Sequence, residues 1–137
     1  MAKTFQCSIV TPTETVLDDE VTYASFPAWD GQHGVMAGES PLLTQLGLGT
    51  LRLDFPEGGQ RWFLLRGGFA QVHPDGVTLL TDEAIPAESL TVQQSERELS
   101  EAIETVKSAS TNSDEAHEAQ QLAYAKVALA REASKHI

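Results

Sequence analysis

With 137 residues, 41% of them hydrophobic, the chain has material for one core of ordinary size and a small appendage. Nine lysines and arginines against 20 aspartates and glutamates give a formal charge of −11. That charge repels phosphate backbones and anionic bilayers, so neither nucleic-acid binding nor direct membrane insertion is expected. Cys7 is the single cysteine, which excludes an internal disulfide, and no apolar run approaches the roughly 20 residues of a membrane span, so the chain is expected to be soluble.

Phe5, Cys7 and Ile9 alternate with Gln6 and Ser8, the period of a half-buried strand, and Thr11-Pro12-Thr13 ends it. Val21, Tyr23 and Ser25 alternate with Thr22, Ala24 and Phe26, which predicts a strand covered on both faces. Two hairpins follow. In the first, Leu51, Leu53 and Phe55 point one way, Pro56-Glu57-Gly58-Gly59 turns the chain, and Arg61 to Leu65 return. In the second, Phe69–His73 is joined to Val77–Thr81 by Pro74-Asp75-Gly76, where Pro presets φ at the first corner and Gly is expected to take a positive φ at the last. Closely spaced short strands predict an antiparallel β-sandwich over residues 1–86.

After Ile85-Pro86 the strand formers vanish and a helical segment, 87–137, begins. Thr91 with Gln94 three residues on has the form of a capping box. Val92, Leu99 and Val106 recur every seven residues, with Ala102 and Ile103 in the same stripe, until the polar run 108–113 interrupts. A second helix is predicted with Asn112 as its cap. Asp114 and Glu115 suit its N-terminal end, and Arg131 and Lys135 its C-terminal end. Ala116, Ala119, Ala123, Val127 and Ala130 share one face, and Leu122, Ala125, Leu129 and Ala133 a neighbouring one. Alanine contacts let two helix axes approach, so an antiparallel helical hairpin is expected and the chain as a whole is α+β. Methyl groups bury little area against roughly 1–2 kcal/mol of entropy per ordered residue, so that hairpin is marginal alone.

No catalytic constellation emerges. His33, His73, His117 and His136 form neither His-x-His nor His-Glu-x-x-His, and Cys7 sits mid-strand as a small core residue, so no catalytic, metal or cofactor site is expected. A β-sandwich enzyme built on His33 and Glu39 would lack the paired histidines of such sites. The glycines carry no phosphate-loop signature, and Arg66-Gly67-Gly68 reads as a bulge or close backbone approach. The segment from Trp29 to Leu43 differs: it mixes glycines with Trp29, Met36 and the polar Asp30, His33 and Ser40, the composition of a docking loop. Composition alone equally allows Trp29 and Met36 simply to cap the sandwich.

Residues 5–12 and 30–43 resemble the epsilon subunit of F-type ATP synthases, which opens with an L-x-V-V-T/S-P strand and carries a G-E-x-G-I-L-P-G-H-A-P-L-L loop. Gly67–Val72 is similar to that family's G-G-x-x-E-V stretch, and Val77–Ala84 to its V-T-V-L-A-D-x-A strand. The resemblance implies a non-catalytic central-stalk subunit of a rotary proton-translocating ATP synthase, peripheral on the cytoplasmic face of the bacterial inner membrane. Its sandwich would hold the gamma subunit and touch the polar loops of the c-ring, with Gln32, Met36 and Glu39 at the ring-contact positions. Its hairpin would reach the alpha/beta catalytic head and restrain ATP hydrolysis, with Lys126, Arg131 and Lys135 as its cations. Some members bind ATP through I/L-D-x-x-R-A at the first helix; here Thr91 and Gln94 replace the Asp and Arg, so that motif is degenerate and no ATP site is expected. The competing reading is a sandwich-and-helix adapter unrelated to ATP synthesis.

Overall fold

A computed structural model describes residues 3–108 and 114–134. Along the chain run β1 (Phe5–Val10), β2 (Thr15–Val21), β3 (Tyr23–Ala28), β4 (Gly31–Val35), β5 (Leu42–Gln45), β6 (Leu48–Asp54), β7 (Gln60–Arg66), β8 (Phe69–His73), β9 (Gly76–Leu80) and β10 (Ala84–Pro86). A 3-10 turn over Ala87–Ser89 leads to α1 (Val92–Ser108) and α2 (Asp114–Ser134). These elements fall into two compact units, Met1–Pro86 and Ala87–Ile137. The Asn112 cap, Lys135 and His136 lie outside the described residues.

The first unit is a sandwich of two five-stranded sheets, ordered β2-β1-β9-β8-β5 and β10-β7-β6-β3-β4. Strand periodicity decides what lies between them. Phe5, Cys7 and Ile9 of β1, Ala24, Phe26 and Ala28 of β3, Leu51 and Leu53 of β6, and Phe63 and Leu65 of β7 form one buried cluster. The first predicted hairpin is β6–β7, with Leu51 opposite Phe63 and Leu53 opposite Arg61. Phe55 packs partly buried against the core as the chain turns.

Three features depart from the expectations. The sandwich is antiparallel except at one place: β1 pairs in parallel with β9, Gln6 to Val10 against Gly76 to Leu80. Second, the β8–β9 connection is Pro74-Asp75 alone, with His73 opposite Gly76 and no positive φ at Gly76. Gly76 serves another purpose, because a Cβ there would collide with the Gln6 carbonyl of β1. Third, β4 lies inside the segment read as a docking loop, and β2, β5 and β10 are strands that the sequence reading did not assign. In β2 only Leu17 and Val21 are buried, and the run Asp18-Asp19-Glu20 masks the alternation. Asp18 accepts hydrogen bonds across the ladder from Gln6 Nε2 at 2.6 Å and Ser8 Oγ at 3.0 Å, which hold its carboxyl below the usual carboxylate range. Charge on this edge strand discourages pairing with other chains.

In the second unit Thr91 caps α1: Gln94 N donates to Thr91 Oγ1 at 3.2 Å. The Gln94 side chain does not return to close a capping box but donates forward to Glu98 Oε1 at 3.3 Å. The predicted α1 stripe of Val92, Leu99, Ala102, Ile103 and Val106 is half-buried, with Ser95 buried among it. On α2, Ala123, Val127, Leu129 and Ala130 are buried. Contacts of Glu98 with Lys126 and of Glu96 with Arg131 run in opposite chain directions, so the helices form an antiparallel hairpin.

Gly67 and Gly68 follow β7 with φ of 72° and 104°, and a Cβ on Gly68 would drive into the Leu80 carbonyl. Thr81 Oγ1 secures the approach by donating to the Gly67 carbonyl at 2.7 Å. Gly68→Ala combines an unfavourable φ with a backbone clash. It is expected to lower the unfolding free energy by about 2–4 kcal/mol, read from urea denaturation.

Candidate partner-docking surfaces

The docking segment of the sequence reading is not one loop. Trp29 and Asp30 form the turn between β3 and β4, with Ala28 opposite Gly31. The strand β4 then carries the chain away, and Met36 to Ser40 lie beyond its far end. At about 3.4 Å per strand residue, Trp29 and Met36 are roughly 20 Å apart, at opposite ends of the sandwich. Trp29 N donates to the Gln45 carbonyl at 2.9 Å, which fixes the first end beside the start of β8. Trp29 is 70% exposed and Met36 60%. Both therefore stand out into solvent rather than capping the core. Asp30, Glu39 and Ser40 are also exposed.

Gln32 and His33 lie between the two ends. Gln32 Nε2 donates to Ser25 Oγ and to the Thr50 carbonyl, both at 2.9 Å, so its amide is tied down across the sheet. His33 sits over Phe26, with ring centroids 5.3 Å apart. Of the three positions implied for ring contact, Met36 and Glu39 share one end, and Gln32 lies back on the strand.

A second surface was missed in the sequence. On the outer face of the β2-β1-β9-β8-β5 sheet, Val10 is opposite Leu80, Leu80 opposite Phe69, and Phe69 opposite Gln45. Leu43 shares that face, two residues from Gln45. Leu43, Phe69 and Leu80 are 68%, 51% and 49% exposed. A shallow cleft of about 340 Å³ opens beside them, lined by Val10, Pro12, Phe69, Leu80 and Asp82 among others. Large apolar side chains clustered in the open mark a contact surface. A signal was present: Ala70, Val72 and Leu79 take the inward positions, which forces Phe69 and Leu80 outward.

Catalytic chemistry finds little to work with. Burial, with Asp18 and Asp19 adding, pushes the Cys7 thiol up to about 12. Among the described residues no group of three or more His, Cys, Asp or Glu is placed to hold a metal ion. Lys126 Nζ lies 3.4 Å from Glu98 Oε2 and Arg131 Nη2 2.6 Å from Glu96 Oε1. No helix among the described residues is long and apolar enough to cross a membrane.

Residues 4–87 match the family described as ATP synthase, Delta/Epsilon chain, beta-sandwich domain. The chain belongs to this family. The ATP synthase epsilon chain of Rhodopirellula baltica is 41% identical over 99 residues, covering 72% of this chain and 77% of that one. The chain named "ATP synthase epsilon chain, sodium ion specific" from Propionigenium modestum is 29% identical over 136 residues, 98% of each. In fold, the chain is similar to one in the Euglena gracilis mitochondrial ATP synthase structure containing OSCP, F1 and c-ring. The TM-score is 0.77 at 24% identity, over 97% of this chain and 82% of that one. A chain of the Tetrahymena thermophila central stalk and c-ring structure gives 0.62 at 15% identity, over 96% of each.

An epsilon-type chain is a subunit of an ATP synthase complex and not itself an enzyme, which sets aside the unrelated adapter. At the helix start where some epsilon chains carry Asp and Arg for ATP, Thr91 is spent on capping and Gln94 on Glu98. Calorimetric titration of the isolated epsilon-type chain with ATP is therefore expected to reveal no micromolar site. Thr91→Ala is expected to cost about 1 kcal/mol in helix stability, read from thermal melts followed by circular dichroism.

Proposed function

We propose that this chain is the central-stalk subunit that couples the c-ring to gamma and restrains ATP hydrolysis through its C-terminal helices. The observation that carries the reading is the separation of two exposed surfaces on one rigid sandwich. A coupling element needs two docking sites on a stiff body, and strands running between them supply the stiffness. The apolar outer face at Leu43, Phe69 and Leu80 has the character of a lasting interface and suits gamma. The end bearing Met36 and Glu39 pairs an adaptable thioether with a charged head, which suits the polar loops of the ring. The helical unit approaches the alpha/beta head in an open arrangement. The chain works at the cytoplasmic face of the bacterial inner membrane, held there by its partners.

The domain assignment goes with this reading: residues 1–86 dock to gamma and ring, and residues 87–137 regulate. Phe69→Glu with Leu80→Glu is expected to weaken gamma binding by about 30-fold, the effect of removing one hot spot worth about 2 kcal/mol. Met36→Asp with Glu39→Lys is expected to leave gamma binding unchanged while lowering ATP-driven ion pumping by the reconstituted complex. A chain ending at Pro86 is expected to fold, to bind gamma, and to raise hydrolysis by the assembled enzyme. Retained gamma binding in the Phe69/Leu80 variant would overturn the assignment of that face.

A further inference from the structure

The apolar stripe of the hairpin is mostly small or half-buried: on α1 Ser95 is buried with Leu99, Ala102 and Ile103 half-buried, and on α2 Ala123, Val127, Leu129 and Ala130 are buried. Such a stripe buries little apolar area, so closure draws only modest stabilisation from it. Two ion pairs cross beside it, Lys126 with Glu98 and Arg131 with Glu96. Their placement around α1 is specific. At 100° per residue Glu96 lies to one side of the line through Ser95 and Leu99, and Glu98 to the other. The pairs straddle the stripe and resist both separation and rolling of the helices.

Lys126 and Arg131 are also the whole lysine and arginine complement of α2. Closing the hairpin thus occupies both cationic heads that this helix carries. We propose that Glu96 and Glu98 act as an internal acidic decoy: they hold Lys126 and Arg131 in the closed hairpin, so that α2 offers these cations to an acidic protein surface only when the hairpin opens. Partner engagement and closure then compete for the same two side chains. The decoy stands on the hairpin alone, whereas its effect on hydrolysis rests on the function proposed above. Both pairs are partly exposed and subject to screening, which makes the latch weak enough to be released.

Spin labels on Ser100→Cys and Gln121→Cys, both exposed positions, report the opening in the full chain; the buried Cys7 thiol stays unlabelled. A single short-distance population is expected at low salt. A long-distance population is expected to grow toward roughly 1 M salt, where the screening length is about 3 Å. Glu96→Gln with Glu98→Gln is expected to raise the open-to-closed ratio roughly two- to thirtyfold at low salt, from two exposed pairs. Glu96→Lys with Glu98→Lys, combined with Lys126→Glu and Arg131→Glu, is expected to restore the short distance. Distances insensitive to salt and to the Gln variants, or no restoration on charge exchange, would overturn the decoy. In the assembled enzyme the Gln variants are expected to inhibit hydrolysis more strongly. A hairpin that opens without changing hydrolysis would support the decoy and overturn the inhibitory role of the helices.

Discussion

The pairing of β1 with β9 is where the sandwich is made whole. Without it the first sheet is two fragments, a β1–β2 hairpin and a β9-β8-β5 group, too narrow to cover the facing sheet singly. The pairing is parallel, it spans some 70 residues of sequence, and it requires a backbone contact at Gly76 that no side chain permits. It also sets Val10 beside Leu80, and so creates the apolar row that continues to Phe69. The surface best suited to a lasting partner is thus a by-product of the contact that completes the core. Core and interface share one origin, and a lesion at Gly76 would damage both.

Legibility in the sequence followed the range of the interactions. The β6–β7 and β8–β9 hairpins were readable because their turns lie within a few residues of the strands they join. Thr91 was readable as a cap for the same reason. The β1–β9 pairing was not, since strand periodicity says which face is buried but not which strand is adjacent. Two further strands were hidden by composition. In β2 three consecutive acids obscure Leu17 and Val21, and in β4 two glycines leave only Val35 buried. Missing β4 had a functional cost, because a loop from Trp29 to Leu43 would have gathered all its side chains into one patch. The strand instead sends Trp29 and Met36 to opposite ends. The helical pair shows the reverse case. Its stripe was read from spacing, while the forward turn of Gln94, which donates to Glu98 rather than accepting from the Thr91 N–H, depended on three-dimensional placement.

The two units differ in what holds them. The sandwich rests on fully buried aliphatic and aromatic side chains and two continuous ladders, features that cost several kcal/mol each to disrupt. The helical pair has fewer and smaller buried groups, Val127 and Leu129 being the largest, with one cap and partly exposed ion pairs each worth about 1 kcal/mol or less. In a molecule built this way the sandwich is the more costly of the two parts to disrupt. That difference is what the proposed roles require, a firm docking body and a yielding regulatory element.

The acidic edge of β2 bears on the order in which the chain assembles during synthesis. β1 leaves the ribosome before its second neighbour, β9, which follows only some 70 residues later. Until then β2 is the only ladder neighbour of β1, and one flank of that hairpin is unpaired. Contacts closed over so long a separation form slowly and leave strand edges open to neighbouring chains. Asp18, Asp19 and Glu20 guard the outer flank through that interval, so that like chains on one message repel along that flank. In this light the hydrogen bonds from Gln6 and Ser8 to Asp18 hold the waiting strand in register for a partner not yet made.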